Sequence, residues 1–143
     1  MPGLHLSDTK FEPKEPTVTN AILEHINVTV SDPQRTVDML CALFDWQVRW
    51  TGAAKDDGVC FHVGSKDSYL AIYSKGGTEQ TGDSYITPGG LNHIGIVVDD
   101  LDATEARVRA AGFNPHSHAD YEPGRRFYFN DADGIEFEVV SYA

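Results

Sequence analysis

One repeat constrains this chain more than any other feature. LEHINVTV, Leu23 to Val30, recurs as LNHIGIVV, Leu91 to Val98, 68 residues further on. The stretches align without a gap: Leu23 with Leu91, His25 with His93, Ile26 with Ile94, Val30 with Val98, then Asp32 with Asp100 and Thr36 with Thr104. Two copies are too few for a solenoid, so they mark two versions of one supersecondary unit. In each copy the Ile and Val residues after the histidine alternate with other types, the period of a half-buried strand. His25, Asn27 and Thr29 then share one face, opposite Ile26, Val28 and Val30. His93, Gly95 and Val97 oppose Ile94, Ile96 and Val98 in the same way. Each histidine therefore leaves the face on which its neighbours pack.

The order of elements downstream of each copy is repeated too. After the first strand, Ser31 or Asp32 caps a helix that starts at Pro33, where a missing N–H costs nothing, and runs to Phe44. Its apolar stripe is Val37, Leu40, Cys41 and Phe44. DWQVRW, VCFHVG and SYLAIYS read as three strands, the first two separated by the turn GAAKDDG. In the second copy Asp99 or Asp100 caps a helix striped by Leu101, Thr104, Val108 and Ala111. Glu105 can pair with Arg109 one turn on, and Gly112 sits where a helix end takes a left-handed residue. FNPHSH, with Pro115 inside it, reads as an edge strand, and RRFYFN and GIEFEVVSY complete the set around DADG. Residues 58–74 align with 125–141 without a gap at an offset of 67. In that alignment Glu138 falls on Ala71, and His62, read as a packing residue, falls on Phe129.

The fold class is therefore α+β: two tandem βαβββ units, 21–75 and 90–143, whose curled mixed sheets surround a cavity. A Gly-rich connector, Lys75 to Gly90, joins them. The chain of 143 residues, 41% of them hydrophobic, has enough apolar content for one domain over 21–143. Residues 1–20 hold three of the seven prolines and no periodicity, and read as an arm in which His5 has no particular role.

A net charge of −11 argues against a nucleic-acid partner, whose phosphates call for a basic patch. No apolar run reaches membrane-spanning length, and the first residues lack a basic segment followed by an apolar one. Cys41 and Cys60 have no zinc-type spacing and read as buried small hydrophobes, so a cytoplasmic location is expected.

Within GIEFEVV, Glu136, Glu138 and Val140 leave the face that Phe137 and Val139 use for packing. Two units related by the repeat could then bring His25, His93 and Glu138 together. Two imidazoles and a carboxylate with open positions make a set suited to one divalent ion: Fe, Mn, Ni, Co or Zn. A small substrate could bind at the open positions through oxygen.

EHINVTVSD, NHIGIVVDDLD and FYFNDADGIEFEVV, together with the doubled strand–helix–three-strand order, resemble the vicinal oxygen chelate superfamily. That superfamily includes glyoxalase I, bleomycin- and fosfomycin-resistance proteins and type I extradiol dioxygenases. The resemblance covers Ile22 to Tyr142, with Ala132 in place of the family's proline. It implies metal ligands His25, His93 and Glu138, with Ala71 at a fourth position where glyoxalase-type enzymes usually have Glu. It further implies a metal-dependent enzyme, dioxygenase-like by its ligand set. A glyoxalase- or lyase-type isomerase and a metal-free binding protein of the resistance type are the alternatives. Tyr128 and Glu138 are the candidate catalytic residues, and Tyr69, Tyr73 and Arg126 the candidate substrate contacts. His116 and His118 lie near an expected acid/base position but read as bystanders. A homodimer is expected, with the cavity closed either within one chain or across two.

Overall fold

The structure, a computed structural model, describes residues 20–122 and 124–143. The arm expected over 1–20 lies, but for Asn20, outside the described residues. The first unit comprises β1 (His25–Thr29), α1 (Pro33–Phe44), β2 (Gln47–Ala53), β3 (Val59–Gly64) and β4 (Tyr69–Ser74). The second comprises β5 (Ile94–Val97), α2 (Leu101–Ala110), β6 (His116–Tyr121), β7 (Gly124–Asn130) and β8 (Glu136–Ser141). Each forms a four-stranded mixed sheet, in the orders β1-β4-β3-β2 and β5-β8-β7-β6, and neither closes into a barrel. The first and last strands of each unit pair in parallel and all other pairs are antiparallel. The parallel pair arises from the helix after the first strand, which carries the chain across the sheet.

Asp32 and Asp100, rather than Ser31 and Asp99, are the N-caps, accepting from the backbone N–H of Arg35 and Ala103. Gly112 ends α2 at φ +93°, and Phe113 N–H closes back onto Val108 O. The α1 stripe differs from expectation: Thr36, Val37, Leu40 and Leu43 are buried, while Cys41 and Phe44 are half-buried on its flank. The cause is that α1 packs against α2 as well as its own sheet, which turns Leu43 inward. Ala111 is exposed because the helix has already ended. The edge strand begins at His116, after Pro115 and not around it, since proline has no N–H for the ladder.

Both units share one core. Val37, Leu40, Val63 and Ile72 of the first meet Val108, Phe127, Phe129 and Phe137 of the second. Phe44 of α1 lies 6.5 Å from the Phe129 ring of β7. Arg107 of α2 donates from Nε to Leu43 O at 3.1 Å, and Asp133 accepts from Ser31 N–H at 3.0 Å and Ser31 Oγ at 2.6 Å. The units therefore pack through their helices and inner sheet faces. This leaves the opposite face of each sheet, the one carrying the histidines, open.

Candidate metal centre

On the second sheet the open face carries His93, Arg126, Tyr128, Asn130, Glu136 and Glu138. Register explains the grouping: Glu138 is flanked by Gly95 of β5 and Tyr128 of β7, and Asn130 lies opposite Glu136. Gly95 leaves room above the strand, and the nearest atom to a Cβ built there would be Glu138 Oε1 at 3.8 Å. His93, one residue before β5, reaches across that gap and places Nε2 3.1 Å from Glu138 Oε1. Its Nδ1 lies 2.6 Å from Asn92 Oδ1, so the ring can carry its proton at Nε2 and donate to Glu138 without a metal, or at Nδ1 and present the Nε2 lone pair to an ion. Tyr128 meets His93 edge-on at 5.6 Å between ring centroids. Burial first, then the Glu138 charge, push the Tyr128 hydroxyl above its ordinary pKa and keep it protonated at neutral pH. His116 stacks on the other side of Tyr128 at 6.3 Å and contacts Asn130 Oδ1 through Nε2 at 2.8 Å.

Arg126 is not free for an anionic ligand. Its Nη1 donates to Glu138 Oε2 at 2.6 Å, its Nη2 to Gly124 O at 3.1 Å, and its guanidinium lies 4.7 Å from the Tyr121 ring centroid. Arg125 points elsewhere, to Asp102. His118 bonds Glu105 at 2.8 Å, apart from this group.

The open face of the first sheet is aromatic. Rings succeed one another from His25 to Tyr69 at 4.9 Å, Tyr69 to His62 at 4.5 Å, and His62 to Trp50 at 4.9 Å. Arg49 lies 4.7 Å above Tyr69. His25, its side chain 43% exposed, contacts Glu24 through Nδ1 at 2.9 Å. Beside this row lies an open cavity of about 690 Å³, lined among others by Asn27, Trp50, Cys60, His62, Tyr73 and Lys75. Tyr73 lines it, whereas Tyr69 belongs to the ring row between the histidines. Burial first, then the neighbouring His25 and Arg49 charges, hold His62 below the ordinary histidine pKa, so it is neutral at pH 7.

His62, read as a packing residue, therefore lines the cavity, and so does Trp50. The gap-free alignment caused the error for His62. His62 lies opposite Ala71 in the ladder, and Tyr128 lies opposite Glu138. The β7–β8 hairpin is one residue longer, so the structural counterpart of His62 is Tyr128, not Phe129. The alternation of His62 with Phe61 and Val63 is the sequence signal that carried this.

His93 and Glu138 thus converge, while His25 stands on the other sheet. Among the described residues, no three His, Cys, Asp or Glu side chains of one chain are placed to share a metal ion. The His93–Glu138 pair itself fits one. Two donors about 2.1 Å from an ion at right angles stand about 3.0 Å apart, close to the 3.1 Å observed.

A family model for the Glyoxalase/Bleomycin resistance protein/Dioxygenase superfamily matches residues 22–139, and the chain belongs to that superfamily. No curated protein matches it by sequence. Among solved structures it resembles a glyoxylase/bleomycin resistance protein/dioxygenase domain from Frankia sp. EAN1pec, with 22% identity and a TM-score of 0.72 over 86% of this chain and 98% of that one. A mutant of the fosfomycin resistance protein FosX from Listeria monocytogenes, complexed with Mn(II) and 1S,2S-dihydroxypropylphosphonic acid, matches at 21% identity and TM-score 0.68 over 85% and 93%. TnmS3, an antibiotic binding protein from Streptomyces sp. CB03234, matches at 19% and 0.69 over 88% and 99%. At these identities the likeness is one of fold. No helix among the described residues is long and apolar enough to cross a membrane.

Proposed function

We propose that this protein is a divalent-metal-dependent enzyme acting on a small, oxygen-bearing substrate, with His25, His93 and Glu138 as the metal ligands. The observation that carries the reading is the approach of His93 Nε2 to Glu138 Oε1 at 3.1 Å on an open sheet face. His25 holds the repeat-equivalent place on the other sheet, and a second copy of the chain in a homodimer would supply it. A divalent ion there would polarise substrate oxygens as a Lewis acid. Tyr128 sits beside Glu138 as a protonated hydroxyl, able to donate a hydrogen bond to an anionic substrate oxygen. The ring row of Tyr69, His62 and Trp50, with Tyr73 at the cavity wall, would hold the body of the substrate. Three protein ligands with Ala71 in the fourth place favour dioxygenase-like chemistry over glyoxalase-like proton transfer, because they leave more open positions.

The second reading is a metal-free binding protein. It is favoured by the Arg126–Glu138 ion pair, which already neutralises the carboxylate. Metal analysis of protein purified without chelator decides between them. About one divalent ion per chain is expected, lost in His93→Ala and Glu138→Gln. Wild type that carries none, and takes up none from Mn(II), Zn(II), Ni(II) or Fe(II), would establish the second reading.

A further inference from the structure

Both oxygens of Glu138 are engaged, one by His93 and the other by Arg126. The charged side chains of Arg126 and Glu138 are only 11% and 13% exposed, so each depends on the other for the solvation it has lost. Yet Arg126 is not fully satisfied: its Nε is buried without a hydrogen-bond partner among the described residues. The ion pair with Glu138 therefore holds the guanidinium in a place that does not meet all its own needs.

The repeat adds a second observation. With the hairpin difference taken into account, Arg126 in β7 corresponds to Cys60 in β3: Cys60 faces Tyr73 across the ladder, and Arg126 faces Val140. The unit that has Glu138 has Arg126, and the unit with Ala71 in the Glu138 position has Cys60. Carboxylate and cation occur together or not at all.

We propose that Arg126 is the resident cation of the metal-free site, and that a divalent ion binds Glu138 only by displacing it. This rests on the reading of Glu138 as a metal ligand. One carboxylate cannot neutralise both a guanidinium and a doubly charged ion a few ångströms apart in a partly buried place, so the two compete. Displacement moves Arg126 without removing it from the open face. Gly124 O and Tyr121 would remain beside it, and the N–H groups it had given to Glu138 would be free for another acceptor. Metal loading thus turns Arg126 from an occupant of the site into a receptor for an anionic substrate group. The same exchange lowers metal affinity by the free energy needed to break the ion pair.

The test is calorimetric titration of the full chain with Zn(II) and with Mn(II), for wild type, Arg126→Met and Arg126→Lys. Arg126→Met is expected to bind at least about tenfold more tightly than wild type, with Arg126→Lys between them. Nitrogen-15 spectra of the wild-type arginine side chains give a measurement that needs no variant. One slowly rotating guanidinium should be present in metal-free protein and lost as Zn(II) saturates the site. Wild type that binds metal while Arg126→Met binds no more tightly, or while the guanidinium signal stays put, overturns the exchange and leaves the metal centre standing. Absence of binding in wild type and both variants overturns the metal centre and the exchange with it.

Discussion

Ala71 differs from its counterpart Glu138 by one carboxylate, and its surroundings fit the loss. It is 1% exposed, flanked by Asn27 of β1 and His62 of β3, where Glu138 is flanked by Gly95 and Tyr128. The glycine leaves space for a long side chain beside Glu138, whereas Asn27 and His62 fill it beside Ala71. A neutral His62 suits a neutral neighbour, and a glutamate at 71 would instead favour its protonated form. Proton transfer of the glyoxalase type needs a base beside the substrate, and such a group contributes ~10²–10⁴-fold. The wild type, reconstituted with Ni(II), Zn(II), Mn(II) or Fe(II), is therefore expected to isomerise methylglyoxal–glutathione hemithioacetal feebly or not at all. Efficient turnover in that assay with any of the four ions would remove the dioxygenase-like reading.

Among the elements, the β7–β8 hairpin ties the second unit to the start of α1 in the first. Its turn residue Asp131 accepts from Asp133 and Ile135 N–H, both at 2.9 Å, which fixes the loop so that Asp133 can reach Ser31. Asp133 then takes two hydrogen bonds from Ser31 and lies 3.6 Å from Arg35 at the start of α1. Asp133→Ala is expected to cost about 1–3 kcal/mol, since it strands the Ser31 donors. Chemical denaturation would read that loss, and a variant as stable as wild type would show that the shared core alone joins the units. Strand and helix order was legible in the sequence because period-two and period-3.6 patterns and the Ser-Asp-Pro and Asp-Asp caps are local. The open-face placement of His25, His93 and Glu138 was legible for the same reason. Leu43 facing inward, and Arg126 closing on Glu138, were not, because each depends on a neighbour that pairing brings close and spacing cannot show. His62 was hidden by a one-residue difference in hairpin length, which shifts a whole strand between faces.

For the whole molecule, the decisive fact is that the units pack through their helices and leave two open sheet faces. Trp50, Val97 and Tyr121 are 46%, 61% and 59% exposed on or beside those faces, an apolar content that a partner would cover. In a two-fold dimer the first sheet of one chain would meet the second sheet of the other, and the same contact would occur twice. Each site would then draw His25 from one chain and His93 with Glu138 from the other. This arrangement makes a prediction that a site built within one chain does not. His25→Ala and Glu138→Gln each destroy every site in their own homodimers. Mixed in equal amounts and allowed to exchange, about half the dimers become hybrids, each with one intact site, so about a quarter of wild-type metal binding returns. Equilibrium dialysis against Zn(II) before and after mixing measures that return. If exchange occurs, followed by mass spectrometry of a tagged copy, and no binding is regained, the three ligands do not come from two chains.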